Sequence, residues 1–293
     1  MKKALPIFLS AFIFLLSRGA PVPQAVAADV TEHWTFDVNA HAYAPHAFGY
    51  VPGHFFRSAQ TTSPEFLDEL APALPSQWDW REHAAVNPVK DQGSKCGSCW
   101  AFASASIVES LLKINTHKKV SIAPQQLVSC DKRFDGCSGG DFASDFYINT
   151  GANYEKDYPY EGASSPCKPE IKQHEKIYKM TVLGADGKAP TTQQIKQAIY
   201  KYGPVSAAVA ASADSFGYYS GGVYNDCADT NVDHMVVLVG WDDNDKAWIM
   251  RNSWGAEWGE KGYMRIKYTA TDGITKCAQI GSEIGYVELT APQ

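Results

Sequence analysis

The chain has no block of lysines and arginines. Its 293 residues hold 26 Lys and Arg against 32 Asp and Glu, a formal net charge of −6. Nucleic acids and anionic membranes attract clustered positive charge, so a role on either surface has no electrostatic support and we predict no nucleic-acid partner. The sequence also has no internal repeat and no low-complexity segment. It is an ordinary globular chain, long enough for one or two domains.

After its first residues the chain also has no long apolar run. Met1–Lys3 is a short basic start, residues 4–17 are apolar, and Ala25–Ala27 supplies the small residues that a signal peptidase reads. We predict that residues 1–27 are a secretory signal, cleaved after Ala27. A membrane anchor is the alternative, but the run is too short to span a bilayer. We therefore expect a soluble mature protein without a stable membrane anchor.

Cysteine is absent from residues 28–73, and regular periodicity is scarce there apart from a possible helical turn near Ser63–Leu70. This composition suits an extended segment that lies on another part of the protein. The character of the sequence changes at Leu74, after which tryptophan, cysteine, glycine and regular apolar patterns are common. We therefore predict a boundary between residues 73 and 74.

All seven cysteines follow that boundary. Secretion permits disulfides, and an odd number leaves at least one thiol unpaired. That thiol could pair with another molecule, be buried and idle, or be kept reduced because it reacts. Counting alone does not choose among these.

Apolar spacing predicts the secondary structure. A buried helix is predicted between Trp100 and Asn115, starting around Cys99, and a shorter one has Pro124 in its first turn. A third helix is predicted over Thr192–Tyr202. Short apolar runs bounded by Gly, Asp and Asn predict strands at Val205–Ala210, His234–Gly240, Ala247–Arg251 and Gly262–Lys267. The chain is helical first and sheet-rich later, an α+β arrangement.

Cys99 follows Gly97 and Ser98 at the predicted start of a helix. The positive end of the helix dipole favours a thiolate there, and the thiolate is the nucleophilic form. The alternative from position alone is a small buried core cysteine.

Four ordered motifs favour the reactive cysteine. Cys96–Phe102 reads CGSCWAF, Gln92 lies seven residues before Cys99, and His234 and Asn252 follow downstream. Together these motifs resemble the papain/cathepsin family of cysteine peptidases, from Trp78 to about Ile284, which is nearly the whole of the predicted mature chain. The resemblance implies a papain-like two-lobe fold for residues 74–293. It has a helical lobe (about 74–190), a β-barrel-like lobe (about 191–293) and an active site in the cleft between them.

The resemblance also implies catalytic roles. Cys99 attacks the peptide carbonyl and forms a thioester, and His234 is its imidazolium partner, which then protonates the leaving amine. Asn252 orients His234, and Trp254 shields that hydrogen bond from water. Gln92 and the backbone N–H of Cys99 form the oxyanion hole. Taken singly, the histidine would be read as a core residue and the asparagine and glutamine as loop residues.

The cysteine pairing follows from the resemblance and not from counting. The family pattern implies three bridges, leaves Cys99 free and requires no metal or cofactor. The implied bridges are Cys96–Cys137, Cys130–Cys167 and Cys227–Cys277.

The resemblance predicts a substrate groove as well. Gly139 and Gly140 would offer backbone hydrogen bonds to an extended peptide. Phe142 would wall the main specificity pocket, Ser282 would form its base, and the pocket would favour an apolar side chain two residues before the cut. The alternative puts Glu283 at the base and admits arginine or lysine. The other predicted substrate-binding residues are Gly97, Ala208, Val232, Asp233, Trp254 and Trp258.

Two departures from the family pattern are visible. Lys95 looks inserted between Gln92 and Cys99; it either forms a bulge that leaves Gln92 in place or displaces the oxyanion donor. Residues 28–73 lack the long amphipathic helix of cathepsin L-like pro-segments. We predict that this pro-segment crosses the cleft in the non-substrate direction and holds the enzyme latent. Its histidines could make release acid-triggered, or it could be a plain polar linker; they are His41, His46 and His54.

The sequence thus predicts a secreted cysteine endopeptidase that is made as a zymogen, acts as a monomer on peptides or proteins, and is inhibited by its own pro-segment. A periplasmic or lysosome-like compartment would also fit. The alternatives are a papain-fold binding protein with impaired chemistry, and an acyltransferase or peptide ligase.

Overall fold

A computed structural model describes residues 34–36, 47–52, 73–184 and 186–289. The predicted signal peptide, the possible helical turn at Ser63–Leu70, and the pro-segment histidines lie outside the described residues. Within the described ranges no helix is long and apolar enough to cross a membrane.

One long helix carries the first half of the fold. This helix, α1 (Cys99–Thr116), has its first fourteen residues buried and ends at His117, which adopts a left-handed backbone conformation. The predicted span of the helix was Trp100–Asn115, so the apolar spacing placed it to within one residue at each end. Shorter helices follow at α2 (Pro124–Cys130) and α3 (Phe146–Asn149), with Pro124 in the first turn of α2 as predicted.

The second half of the fold is a mixed sheet of eight strands. The strands are β2 (Gln77–Asp79), β3 (Lys179–Leu183), β4 (Val205–Val209), β6 (Val223–Tyr224), β7 (His234–Asp242), β8 (Ala247–Arg251), β9 (Tyr263–Lys267) and β10 (Ile284–Glu288). Their order in the sheet is β3-β10-β4-β7-β8-β9-β6, and β2 pairs with β7 outside this order. The third helix, α4 (Thr192–Tyr202), has the bounds that the sequence predicted, and a short α5 (Asp214–Gly217) follows β4.

The lobes are less separate in sequence than we expected. Strands β2 and β3 lie between residues 74 and 190, the range predicted for the helical lobe, yet both join the sheet. With only three residues, β2 is too short to show a period-2 pattern in the sequence. Two buried clusters result, one around α1 and one between α4 and the outer strands, and alternate residues of β7 face each of them.

Two pieces of the predicted pro-segment belong to the described fold. Strand β1 (Thr35–Phe36) pairs antiparallel with β5 (Tyr219–Gly221), and Trp34 lies 5.1 Å from Tyr224 between ring centroids. Residues 47–52 lie near the start of α1, where Gly49 approaches Gly97 closely.

A buried ion pair attaches the loop before the active site to α1. Lys90 Nζ donates to Glu109 Oε1 at 2.8 Å, and Glu109 also accepts from the backbone N–H of Ile122 at 2.8 Å. The Glu109 side chain is 1% exposed. Lys90 Nζ also lies 2.8 Å from Glu155 Oε2, so Lys90 links two carboxylates, of which Glu109 is the buried one.

We therefore predict that Glu109→Gln lowers the free energy of unfolding by about 1–3 kcal/mol, since the amide replaces the buried carboxylate that accepts from both Lys90 and the Ile122 N–H. Urea unfolding of an inactive Cys99→Ala protein, followed by tryptophan fluorescence, measures this. Glu82→Gln is the matched control, because Glu82 is exposed. Equal stability of the two variants would contradict a structural role for the pair.

Candidate active site

Cys99 is the first residue of α1 and is fully buried. The preceding residue, Ser98, makes no side-chain cap, and within the first turn the backbone of Trp100 forms a hydrogen bond with the sulfur. Burial raises the pKa of the Cys99 thiol to about 12, against a smaller lowering by hydrogen bonds from the backbone of Met235, Gly49 and Trp100. Burial therefore favours the protonated thiol in this structure.

His234 and Asn252 form a buried pair on the sheet. His234 begins β7 and Asn252 follows β8, and the antiparallel pairing of these strands brings both to the same end. The imidazole Nε2 lies 2.8 Å from Asn252 Oδ1, which also accepts from the N–H of Ser253 at 2.8 Å. An amide oxygen can only accept a hydrogen bond, so this contact assigns the proton to Nε2. The other ring nitrogen, Nδ1, lies on the side of the imidazole away from Asn252.

Trp254 covers this pair. Its ring centroid lies 4.8 Å from that of His234, and the side chain is 3% exposed. Behind it, Trp258 is buried against Phe216 and donates from Nε1 to the carbonyl of Gly217 at 2.8 Å. Trp254 therefore lies against the imidazole, and its role in shielding the hydrogen bond from water stays a prediction. Trp258 is 1% exposed here, and its part in a substrate subsite stays a prediction.

Gln92 is held in place despite the longer loop. Its backbone N–H donates to the carbonyl of Ser253 at 2.8 Å, and its Oε1 accepts from the Ser253 hydroxyl at 2.7 Å. Lys95 is exposed, so the extra residue bulges into solvent. Gln92 Nε2 is directed to backbone carbonyls, at 2.8 Å from Ala47 O and 3.3 Å from Cys96 O.

Residues 47–51 run through the groove as an extended strand. The N–H of Val51 donates to Gly140 O at 2.9 Å, and the N–H of Gly140 donates to Gly49 O at 2.8 Å, a parallel pairing centred on Tyr50. On the other side, the N–H of Tyr50 donates to Asp233 O at 3.0 Å. Gly140 and Asp233 are thus the backbone partners of residues 49–51; that Gly140 binds a substrate peptide in the same way stays a prediction.

A glycine lets this strand pass over the start of α1. A Cβ at Gly49 would lie 1.9 Å from the carbonyl oxygen of Gly97, which no side chain can tolerate. The preceding Phe48 has ring-centroid distances of 6.1 Å to both His234 and Trp254. The strand therefore covers both the nucleophile and its histidine.

Tyr50 fills the predicted specificity pocket. Its side chain is 6% exposed, its ring meets Phe142 edge-on at 6.2 Å, and its hydroxyl donates to Glu283 Oε2 at 2.6 Å. Burial raises the pKa of Glu283, while the Tyr50 hydrogen bond lowers it. Of the two residues considered for the base, the structure brings the Glu283 carboxylate to the occupant. Ser282 instead donates its N–H to the carbonyl of Gln279 at 2.9 Å.

The remaining predicted groove residues lie around this strand. Ala208 is fully buried and donates its N–H to Glu283 O at 3.1 Å, and Val232 is half-buried beside the cluster around α1. A Cβ at Gly139 would lie 2.7 Å from Val51, so Gly139 contacts the strand closely.

Sequence reasoning missed the contributions of Tyr50 and Ser253. The only available signal was that Ser253 adjoins Asn252.

The six other cysteines are joined in the pairs that the resemblance implied. They are Cys96–Cys137, Cys130–Cys167 and Cys227–Cys277, and Cys99 is the free thiol. Since the first bridge lies beside the Cys99 turn, it also fixes Gly97, whose N–H donates to Cys137 O at 2.9 Å.

Comparison with known proteins agrees with this geometry. A cysteine proteinase of Brassica napus is 40% identical over 219 residues, which cover 73% of this chain and 65% of the relative. A germination-specific cysteine protease of Arabidopsis thaliana is 43% identical over 204 residues, covering 66% and 52%. The chain thus spans between about half and two thirds of the length of these relatives.

Solved structures share the fold. A Carica candamarcensis cysteine protease in complex with E-64 superposes with a TM-score of 0.68 at 33% identity, covering 74% of this chain and all of that one. Procathepsin L2 of Tenebrio molitor superposes with a TM-score of 0.74 at 32% identity, covering 87% and 84%. The papain-like α+β fold predicted from the sequence is confirmed.

The sequence profile described as papain family cysteine protease matches residues 74–285. Cys99 is the free thiol at a helix start, and His234 and Asn252 form a pair on the facing strands. Together with the profile match, these features show that the chain belongs to the papain family of cysteine proteases.

Proposed function

We propose that the protein is a secreted cysteine endopeptidase, made as a zymogen, that hydrolyses peptide bonds through a thioester on Cys99. The observation that carries the proposal is the Gln92 amide, which donates at 2.8 Å to a peptide carbonyl, Ala47 O, in the same groove as the buried thiol. A donor placed on a peptide carbonyl beside a nucleophile is the arrangement that acyl transfer needs.

The proposed reaction has two steps. With the groove open to substrate, the Cys99 sulfur passes its proton to His234 and attacks the carbonyl carbon, and the developing oxyanion is bound by Gln92 Nε2 and the Cys99 N–H. His234 then gives that proton to the leaving amine, and the thioester remains. A water molecule, deprotonated by His234, attacks the thioester carbon, the C–S bond breaks and the acid leaves, and His234 returns the proton to the Cys99 sulfur. Asn252 keeps the imidazole in the required tautomer through its 2.8 Å contact.

We further propose that residues 28–73 are a pro-segment that blocks the groove in two ways. Phe48 and Gly49 occupy the space over His234 and Cys99. Burial under this strand also keeps the sulfur protonated, since the pKa of Cys99 is raised to about 12. The structural neighbour procathepsin L2 is, as its name states, the proform of a protease. Secretion is supported by the signal-like start of the sequence and by the three disulfides.

The latency proposal predicts how the precursor reacts with iodoacetamide. Only the thiolate reacts, so with a pKa of about 12 the precursor should label very slowly at pH 7 and about tenfold faster for each pH unit above it. The processed enzyme should label rapidly at pH 7. Mass spectrometry of the Cys99 peptide measures both rates.

Gly49→Ala sharpens the same test, because its Cβ cannot coexist with Gly97 O. This precursor should label at pH 7 at least tenfold faster than the natural one, and Ala47→Ser, which keeps the carbonyl that Gln92 binds, should not. Fast labelling of the natural precursor would exclude latency by this strand, whatever the activity of the processed enzyme.

Glu283 predicts a preference among substrates. Its carboxylate accepts from the Tyr50 hydroxyl, and a hydrogen bond to a charged group contributes about 1.5–3 kcal/mol. Peptides with tyrosine two residues before the cut should therefore exceed their phenylalanine analogues in kcat/KM by about tenfold or more. Glu283→Leu should abolish the difference and also reduce cleavage of arginine analogues. Ser282→Ala should leave both the tyrosine preference and the cleavage of arginine analogues unchanged. If Ser282→Ala altered them and Glu283→Leu did not, Ser282 would be the residue at the base of the pocket.

A further inference from the structure

The two donors of the oxyanion hole come from different segments of the chain. One is the side chain of Gln92, in the loop that Lys95 lengthens, and the other is the backbone N–H of Cys99, at the start of α1. Their separation decides whether both can reach one oxygen atom, and misplacement by about 1 Å is enough to cost a large factor in rate. Some contact must therefore fix the loop against the helix start.

One hydroxyl bridges these two segments. The hydroxyl of Tyr160 donates to the backbone carbonyl of Gln92 at 2.9 Å and lies 2.6 Å from the hydroxyl of Ser98, the residue before Cys99. The protons can be assigned consistently, with Ser98 donating to Tyr160 and Tyr160 donating to Gln92. Burial raises the pKa of Tyr160, so the donor keeps its proton at neutral pH.

The Tyr160 ring is itself fixed. It meets the ring of Phe102, one turn into α1, edge-on with centroids 4.8 Å apart. Ser253, on the sheet side, bonds Gln92 at its N–H and its side-chain oxygen. Gln92 is thus held at these two atoms from one wall of the cleft, and at its carbonyl by Tyr160 from the other. Through Ser98, Tyr160 connects the backbone of Gln92 to the start of the helix that carries Cys99, in addition to the longer 3.3 Å contact of Gln92 Nε2 with Cys96 O.

We propose that Tyr160 is a positioning residue of the oxyanion hole, whose hydroxyl sets the distance between the Gln92 amide and the Cys99 N–H. This inference rests on the proposed peptidase function. It assigns to Tyr160 no contact with substrate. Its effect should fall on the step in which the oxyanion forms, and not on substrate binding or on the reactivity of the thiol.

The experiment uses the processed enzyme with Tyr160→Phe, which removes only the bridging hydroxyl. We expect kcat to fall about tenfold with KM unchanged within about twofold, since the misplaced donor acts mainly in the transition state. Alkylation of Cys99 by iodoacetamide should be unchanged, because that displacement forms no oxyanion. Tyr158→Phe is the matched control. It lies two residues away and is fully buried, and its hydroxyl donates to Pro166 O at 3.4 Å.

A double-mutant cycle tests whether Tyr160 acts through Gln92. Gln92→Ala alone should lower kcat by about 10²–10³. Adding Tyr160→Phe to it should lower kcat no further, because the donor that Tyr160 positions is already gone.

Several results would overturn the inference. They are a Tyr160→Phe enzyme with normal kcat, an additive double mutant, an equal loss in Tyr158→Phe, or a parallel loss of alkylation, which would indicate general disruption of the site. A natural enzyme that alkylates but cleaves no peptide would instead contradict the proposed peptidase function.

Discussion

The packing of the N-terminus of α1 against the first residues of β7 is the constraint on which the rest of the structure depends. It places the Cys99 sulfur within hydrogen-bond reach of the Met235 backbone, next to His234. Neither element could supply the chemistry alone, since a helix start offers a polarised thiol and a strand end offers an imidazole. Apolar residues of α1 and alternate residues of β7 share one buried cluster, so the energy that stabilises the fold also fixes the distance between nucleophile and base.

A second layer of contacts makes this arrangement specific. Ser253 bonds Gln92 twice, while its neighbour Asn252 bonds His234, so one turn after β8 orients both the oxyanion donor and the imidazole. The turn is buried, and a hydrogen bond lost there leaves a polar group whose burial is no longer compensated. A change in this turn is therefore expected to disturb both groups together.

Local sequence predicted the secondary-structure elements and suggested the reacting groups. It did not predict which residues distant in sequence contact them. The α1 helix and β8 were predicted to within a residue because their apolar spacing is regular, and Cys99 was recognised through a contiguous motif. By contrast, Tyr50 meets Glu283 across 233 residues of sequence, and Tyr160 meets Gln92 across 68. Such pairs are created by tertiary packing and leave no periodic trace, which is also why β2 and β3 were not assigned to the sheet.

The parallel pairing of Tyr50 with Gly140 has a consequence for maturation. The backbone of Gly49 lies within hydrogen-bond reach of the Cys99 sulfur, while the amide of Gln92 binds Ala47 O, two residues earlier. The nucleophile and the oxyanion donor are thus both engaged by one short stretch of backbone. A cut elsewhere in the chain does not by itself vacate the groove, because this stretch keeps its own hydrogen bonds to Gly140 and Asp233. The onset of activity is therefore governed by dissociation of the strand as well as by cleavage.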